Sequence, residues 1–146
     1  MDYEEFDALK TRILKYIMYK KRTEKEIRQK FSNINESDLD DAIAYLKEAG
    51  YIDDLSYIER AVQEFISINT LSIKEIKYKL MQKGINKDLI ENYIYENRFE
   101  LEEYEQSCAK KIYNKKISNM EEIEVLNFLR KKGYKEDSIK NIQNEE

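Results

Sequence analysis

Ser72-Ile73-Lys74-Glu75-Ile76-Lys77-Tyr78-Lys79-Leu80-Met81-Gln82-Lys83-Gly84 reads as one complete helix, with its start, its buried face and its stop all present. Ser72 followed three residues on by Glu75 has the form of a capping box, in which the hydroxyl accepts from the third helical amide and the glutamate reaches back to the cap amide. Such a cap stabilises a helix by about 1 kcal/mol. Ile76 and Leu80 stand four apart and so share one face. Gly84, after cationic residues, matches a left-handed C-terminal cap following a last turn that favours positive charge.

The same frame occurs on either side. Thr23-Glu24-Lys25-Glu26 is a capping box ahead of Ile27 and Phe31, and Val125 and Leu129 precede Gly133. From Ile27 to Ile76 to Val125, and from Phe31 to Leu80 to Leu129, each step is 49 residues. The chain therefore reads as a tandem array, whose units bury a shared core by stacking and present a long surface to a partner. In the third unit Ser118-Asn119-Met120-Glu121 has the capping form but lies three residues early, which predicts an earlier helix start there. In the first unit Asn35 occupies the place of Gly84 and Gly133, and is expected to take the same left-handed turn.

A first helix precedes each of these. Leu9, Ile13, Tyr16 and Ile17 make one apolar face; Ile58, Val62, Phe65 and Ile66 repeat it, and Tyr104, Cys108 and Ile112 repeat it less closely. Third helices follow at Ser37 to Ala49, closed by Gly50, at Asn86 to about Asn97, and from about Lys135 with Ile139 and Ile142 inward. The expected fold is all-α, three tandem three-helix repeats forming an elongated, curved array, with boundaries at 1–52, 53–100 and 101–146. Gly50-Tyr51-Ile52-Asp53-Asp54 separates the first two units sharply, whereas no breaker lies between Tyr93 and Tyr104, so the second and third are expected to join through a continuous or kinked helix.

Composition agrees with helices and excludes most chemistry. The chain of 146 residues has no proline and three glycines, too few for turn-rich sheet. Histidine is absent, which removes histidine-based triads, cysteine–histidine pairs and histidine-ligated zinc. No glycine-rich phosphate loop can be built from three glycines, two of which end helices. The single Cys108 supplies no disulfide and, on an apolar stripe, packs rather than reacts. Neither catalytic residues, metal ligands nor a cofactor are expected. No apolar run nears the roughly 18–20 residues of a membrane span. Met1-Asp2-Tyr3-Glu4-Glu5 lacks the basic and apolar regions of a signal peptide, so a cytoplasmic protein without membrane contact is expected. Lacking a heptad seam, the chain is expected to be a monomer.

Two groups of charged residues stand out. Asp53 and Asp54 are adjacent, and adjacent side chains on a helix point about 100° apart, which suits a cap and a first-turn acid better than a metal site. One is expected to cap the helix and the other to sit in its first turn, with contact to the preceding helix. The cationic clusters Lys20-Lys21-Arg22, Lys110-Lys111, Lys115-Lys116 and Arg130-Lys131-Lys132 alternate with Tyr16, Tyr19, Tyr113 and Tyr134. Dipole compensation at helix ends accounts for several of them. Together they are also amphipathic contact points of the type enriched at interfaces, and Lys110, Lys111, Lys115, Lys116, Arg130, Lys131, Lys132 and Tyr134 are the partner-binding candidates. The formal net charge is −4 and no third of the chain is net basic, so the footprint of an ordinary duplex-DNA binder is missing.

Gly50-Tyr51-Ile52-Asp53-Asp54-Leu55-Ser56-Tyr57 resembles the glycine–aromatic–aliphatic–Asp–Asp signature, closed by an aromatic, of the RecX regulators of the RecA recombinase. Lys83-Gly84-Ile85 and Phe128-Leu129-Arg130-Lys131-Lys132-Gly133-Tyr134 resemble two further signatures of that family, in order and over most of the chain. Asp53, Asp54, Tyr57, Gly84 and Gly133 are then the structural motif residues. Ile58 stands where the family usually has alanine, implying a wider gap between helices, and Lys79 stands where an acid is common. Many relatives also look basic, unlike this chain. The resemblance implies a non-enzymatic regulator that binds the RecA filament, and single-stranded DNA within it, and inhibits strand exchange and ATPase activity in recombination and DNA repair. The alternative is a nucleic-acid-binding helical protein acting independently of RecA.

Overall fold

The computed structural model describes residues 1–144, the side chains of the last two excepted. Those residues form nine helices: α1 (Tyr3–Tyr19), α2 (Glu24–Lys30), α3 (Glu36–Glu48), α4 (Asp54–Ile68), α5 (Ile73–Gln82), α6 (Lys87–Glu96), α7 (Arg98–Lys116), α8 (Glu122–Lys132) and α9 (Glu136–Asn144). The protein is all-α, and among the described residues no helix is long and apolar enough to cross a membrane.

The second helix of each triplet starts on the 49-residue step, at Glu24, Ile73 and Glu122. Thr23 and Ser72 both complete capping boxes, accepting from the amides of Glu26 and Glu75 at 3.2 and 3.1 Å. The box expected at Ser118 does not form, and α8 keeps strict register instead. The amides of Asn119 and Met120 both donate to the Lys116 carbonyl, so Ser118 is spent in the turn that finishes α7. Glu121 takes the cap position of α8 without a side-chain hydrogen bond.

The stops behave unequally. Gly84 and Gly133 are left-handed, with φ of 84° and 97°. Asn35, expected to copy them, has φ −51° and instead caps α3, accepting from the amides of Ser37 and Asp38. Because α2 already ends at Lys30 and turns through Phe31 and Ile34, the chain reaches Asn35 extended, and its carboxamide is worth more as an N-cap. At the continuous stretch between Tyr93 and Tyr104 one residue breaks the ladder. Asn97 ends α6 and starts α7, its side-chain amide donating to the Tyr93 carbonyl at 2.9 Å. The joint is thus a kink.

Helical periodicity converts into two cores rather than three. Leu9, Ile13, Ile27, Phe31, Ile43 and Leu46 belong to a cluster confined to α1–α3 and the following Ile52. Ile58, Ile76, Leu80, Ile90, Leu129 and Ile139 belong to a second cluster that runs without a break through α4–α9. Each such side chain removed from water contributes roughly 1.5–3 kcal/mol. The second and third triplets therefore share one hydrophobic body, and the first joins it through polar links.

Those links repeat with the sequence. The Thr23 hydroxyl donates to the Lys83 carbonyl at 2.8 Å, and the Ser72 hydroxyl to the Lys132 carbonyl at 2.7 Å. Donor and acceptor both advance by 49 residues. Each cap hydroxyl thus binds its own helix through one lone pair and the next triplet through its proton, and both residues are fully buried. The glycine after each accepting carbonyl is needed twice over. Beyond its positive φ, a Cβ on Gly84 would lie 2.6 Å from Cβ of Lys25, and one on Gly133 would lie 2.9 Å from Cβ of Lys74.

Candidate functional site

The adjacent aspartates act in different directions. Asp53 is the N-cap of α4, accepting from the amides of Leu55 and Ser56 at 3.0 and 3.2 Å and from the Ser56 hydroxyl. The Ser56 amide above all holds its carboxyl below the usual range. Asp54 accepts from the amide of Glu24 at 3.1 Å, across the first junction. Burial is the main influence on it, and pushes its carboxyl up. The pair therefore offers no convergent set of oxygens. Tyr57, one turn into α4, is half-buried against the larger core, and burial raises its hydroxyl.

Across the second junction the acid corresponding to Asp54 is Glu105, which is fully buried. Its Oε2 accepts from the amide of Ile73 at 2.9 Å, and its Oε1 from the amide of Lys135 at 2.9 Å and the hydroxyl of Ser138 at 3.1 Å. The starts of α5 and α9 thus converge on one carboxylate, which supplies the acceptors their first amides lack. Around it the Tyr104 hydroxyl donates to the Leu71 carbonyl, and the thiol of buried Cys108 donates to Asn69 Oδ1 at 3.3 Å.

The cationic candidates divide by role. Lys110, Lys111 and Lys115 are exposed on α7, and Lys131 is exposed on α8. Arg130 is exposed but engaged, its Nε 2.6 Å from Glu136 Oε1 and its Nη1 3.1 Å from Asn127 Oδ1. Lys132 serves the second junction, with its carbonyl taken by Ser72 and its ammonium 3.4 Å from the Thr70 carbonyl. Tyr134 is corrected from surface to core. It is 3 % exposed, and its hydroxyl donates to Thr70 O at 3.0 Å, so it has no face left for a partner.

The fold brings Lys116 and Lys132 together over the ring of Phe128, at 4.3 and 5.7 Å from its centroid. The first triplet has a counterpart, where Arg22 and Lys30 lie over Tyr16 at 4.1 and 5.7 Å. In the second, Phe65 and Lys79 line one groove with Tyr57 and Ala61. Lys30, Lys79 and Phe128 occupy the same repeat position, and cations stack on an aromatic ring in the first and third triplets, while in the second Phe65 and Lys79 share a groove. Such pairs, partly shielded, contribute about 0.5–1 kcal/mol and present both charge and apolar surface to a partner. This arrangement is suited to binding.

Two groups were missed by sequence reasoning. Phe128 stands out in the sequence only as part of a family signature, although its spacing from Lys132 places both on one helical face. Glu105 was overlooked because it lies 51 residues after Asp54, so counting by 49 lands on the exposed Glu103.

No protein-family model matches the chain. It is similar to the regulatory protein RecX of Staphylococcus carnosus, 34% identical over 137 residues that make up 90% of this chain and 51% of the relative. The regulatory protein RecX of Clostridium botulinum strain Alaska E43 is 31% identical over 135 residues, covering 85% and 61%. That of Finegoldia magna is 31% identical over 137 residues, covering 88% and 67%. The chain thus spans about half to two thirds of the length of these relatives. Among solved structures, RecX from Lactobacillus salivarius superposes with a TM-score of 0.80 at 25% identity over 95% of this chain and 94% of that one. A second crystal structure, of regulatory protein RecX, gives 0.78 at 25% identity over 96% and 73%.

Proposed function

The chain belongs to the RecX family of regulatory proteins, and from that premise we propose that it binds the filament of the RecA recombinase and inhibits its strand-exchange and ATPase activities. The observation that supports this reading is the stacked cation–aromatic pair of the first and third triplets, with aromatic Phe65 and Lys79 sharing a groove in the second. A filament is a row of identical protomers, and an array that offers the same contact chemistry at successive positions can engage more than one of them, gaining by effective concentration what each contact lacks alone. The role is one of binding, with no reaction step assigned to any residue.

Exposed Lys111 and Lys115 on α7 and Lys131 on α8, the helices that carry Lys116 and Phe128, are the residues assigned to the RecA contact. Arg130 and Lys132 are already engaged, with Glu136, Asn127 and the Thr70 carbonyl, so reversing them would also disturb contacts within the fold. The test measures RecA ATPase and strand exchange with the wild-type protein and with Lys111→Glu, Lys115→Glu, Lys131→Glu combined. Wild type is expected to inhibit, and the triple variant to inhibit less at unchanged helical content. Unaltered RecA activity with the wild type overturns the function, and full inhibition by the variant removes these lysines from the site. In a DNA titration without RecA, tight binding that falls steeply with salt would favour a nucleic-acid binder acting alone.

A further inference from the structure

The two junctions are built on one plan and lined with different chemistry. At the first, Glu24, Lys25, Arg28, Asp54, Gly84 and Asn86 line a groove of about 770 Å³. At the second, the corresponding Ile73, Lys74, Lys77, Glu105, Gly133 and Lys135 line one of about 540 Å³. In the first groove the charges answer one another. Lys47 and Arg28 both pair with Glu24, and Arg28 reaches Asp40 at 2.5 Å. In the second, Ile73 replaces Glu24 and that network has no centre.

What remains there is an apolar strip with unanswered positive charge. Ile94 lines it with the edge of Ile73, which is otherwise buried in the core, Tyr95 stands at 64% exposure beside them, and Phe99, at 73%, adjoins Arg98. Lys77 pairs with Glu91 at 2.8 Å, and Lys135 lies 4.0 Å from Glu102. Lys74 and Arg98 have no acidic partner among the described residues. The Arg98 guanidinium is positioned all the same, 4.3 and 4.6 Å from the ring centres of Tyr95 and Phe99, with Nη1 donating to the Tyr95 carbonyl. Glu105 also lines the groove, and its oxygens accept from the Ile73 and Lys135 amides and the Ser138 hydroxyl rather than from Lys74 or Arg98.

We propose that this second groove docks a short acidic–apolar peptide segment of a partner protein. An apolar side chain of the segment lies along Ile94 and Tyr95, and flanking carboxylates meet Arg98 and Lys74. Charge complementarity chooses this occupant: on a chain of net charge −4 an acidic segment is held only where local cations lack partners. A phosphate backbone fits less well, because it carries a charge at every residue against Glu91 and Glu102, whereas a peptide can set neutral residues there. The proposal stands apart from the RecA reading and needs neither RecA nor the lysines of α7.

The full chain, labelled with ¹⁵N, is titrated with the acetylated and amidated peptide Asp-Leu-Phe-Glu-Asp-Leu and with its counterpart carrying Lys at each acidic position. Saturable shifts are expected at the amides of Lys74, Tyr95 and Arg98 with the acidic peptide only, while Lys25 and Arg28 in the first groove stay still. Arg98→Glu and Tyr95→Ala, both surface changes checked by circular dichroism, are expected to lose those shifts. Absence of saturable shifts, equal response of the first groove, or equal binding of the Lys peptide overturns the proposal. Stronger shifts at the same amides from an oligothymidylate overturn it too, in favour of a nucleic-acid groove.

Discussion

Replacing Glu105 by alanine strikes the one point where two helix starts and two triplets meet. The change leaves the Ile73 amide, the Lys135 amide and the Ser138 hydroxyl without acceptors. A buried donor left unmade costs about 1–3 kcal/mol, and the three are partly relieved by water entering the vacated volume, so about 4 kcal/mol is expected in all. That is a large fraction of the roughly 5–15 kcal/mol that holds a domain of this kind together. Glu105→Gln keeps one acceptor oxygen but turns an NH₂ group toward a donor, and about half the loss is expected. Asp54→Ala, which removes one hydrogen bond at a half-buried site, is expected to cost about 1–2 kcal/mol. Guanidinium denaturation gives the three values, and hydrogen exchange locates the damage, with protection lost first at the amides of Ile73 and Lys135. A cost for Glu105→Ala below about 1 kcal/mol, in the range of a surface change, would refute the claim that this carboxylate joins the triplets.

Two further outcomes follow from the same geometry. Gly84→Ala is expected to destabilise more than Gly50→Ala, since both have positive φ, at a cost of about 1–3 kcal/mol, but only Gly84 adds a clash with Lys25, Gly50 having nothing within 4 Å. Equal denaturation midpoints would show that Lys25 swings clear at no cost. The neighbouring aspartates are expected to give opposite pH profiles of stability. Asp54 is raised by burial, so its contribution is full below the ordinary aspartate value of 3.8 and is lost as pH rises through its folded value. Asp54→Asn, which can still accept from Glu24, therefore gains on wild type as pH rises toward neutral. Asp53 is lowered chiefly by the Ser56 amide, so its contribution is present above 3.8 and disappears as pH falls. Asp53→Asn is expected to lag behind wild type at neutral pH and to converge with it in acid, as followed by urea denaturation across pH. Profiles of the same sign would contradict these assignments.

Local rules were legible from the chain alone, because they act within a turn or two of helix. Thr23 and Ser72 announced their caps, Gly84 and Gly133 their left-handed turns, and the 49-residue step announced that neighbouring triplets are built alike. The same rules misled where a residue had a second use within reach. Ser118 was drawn into the turn that ends α7, and Asn35 capped the helix after it rather than closing the one before. Only the tertiary structure decided which groups meet across a junction. The kink at Asn97 and the offset of Glu105 from the repeat are invisible to counting, and so is the choice of Glu105 over exposed Glu103 as the acid between α5 and α9. Tyr134 carries no mark in sequence to distinguish a surface aromatic from one whose hydroxyl is satisfied inside. Periodicity states which face of a helix is buried, whereas the identity of the buried partner depends on how separate helices dock in space, and that is set by packing and by the need of every buried polar group for an acceptor or donor.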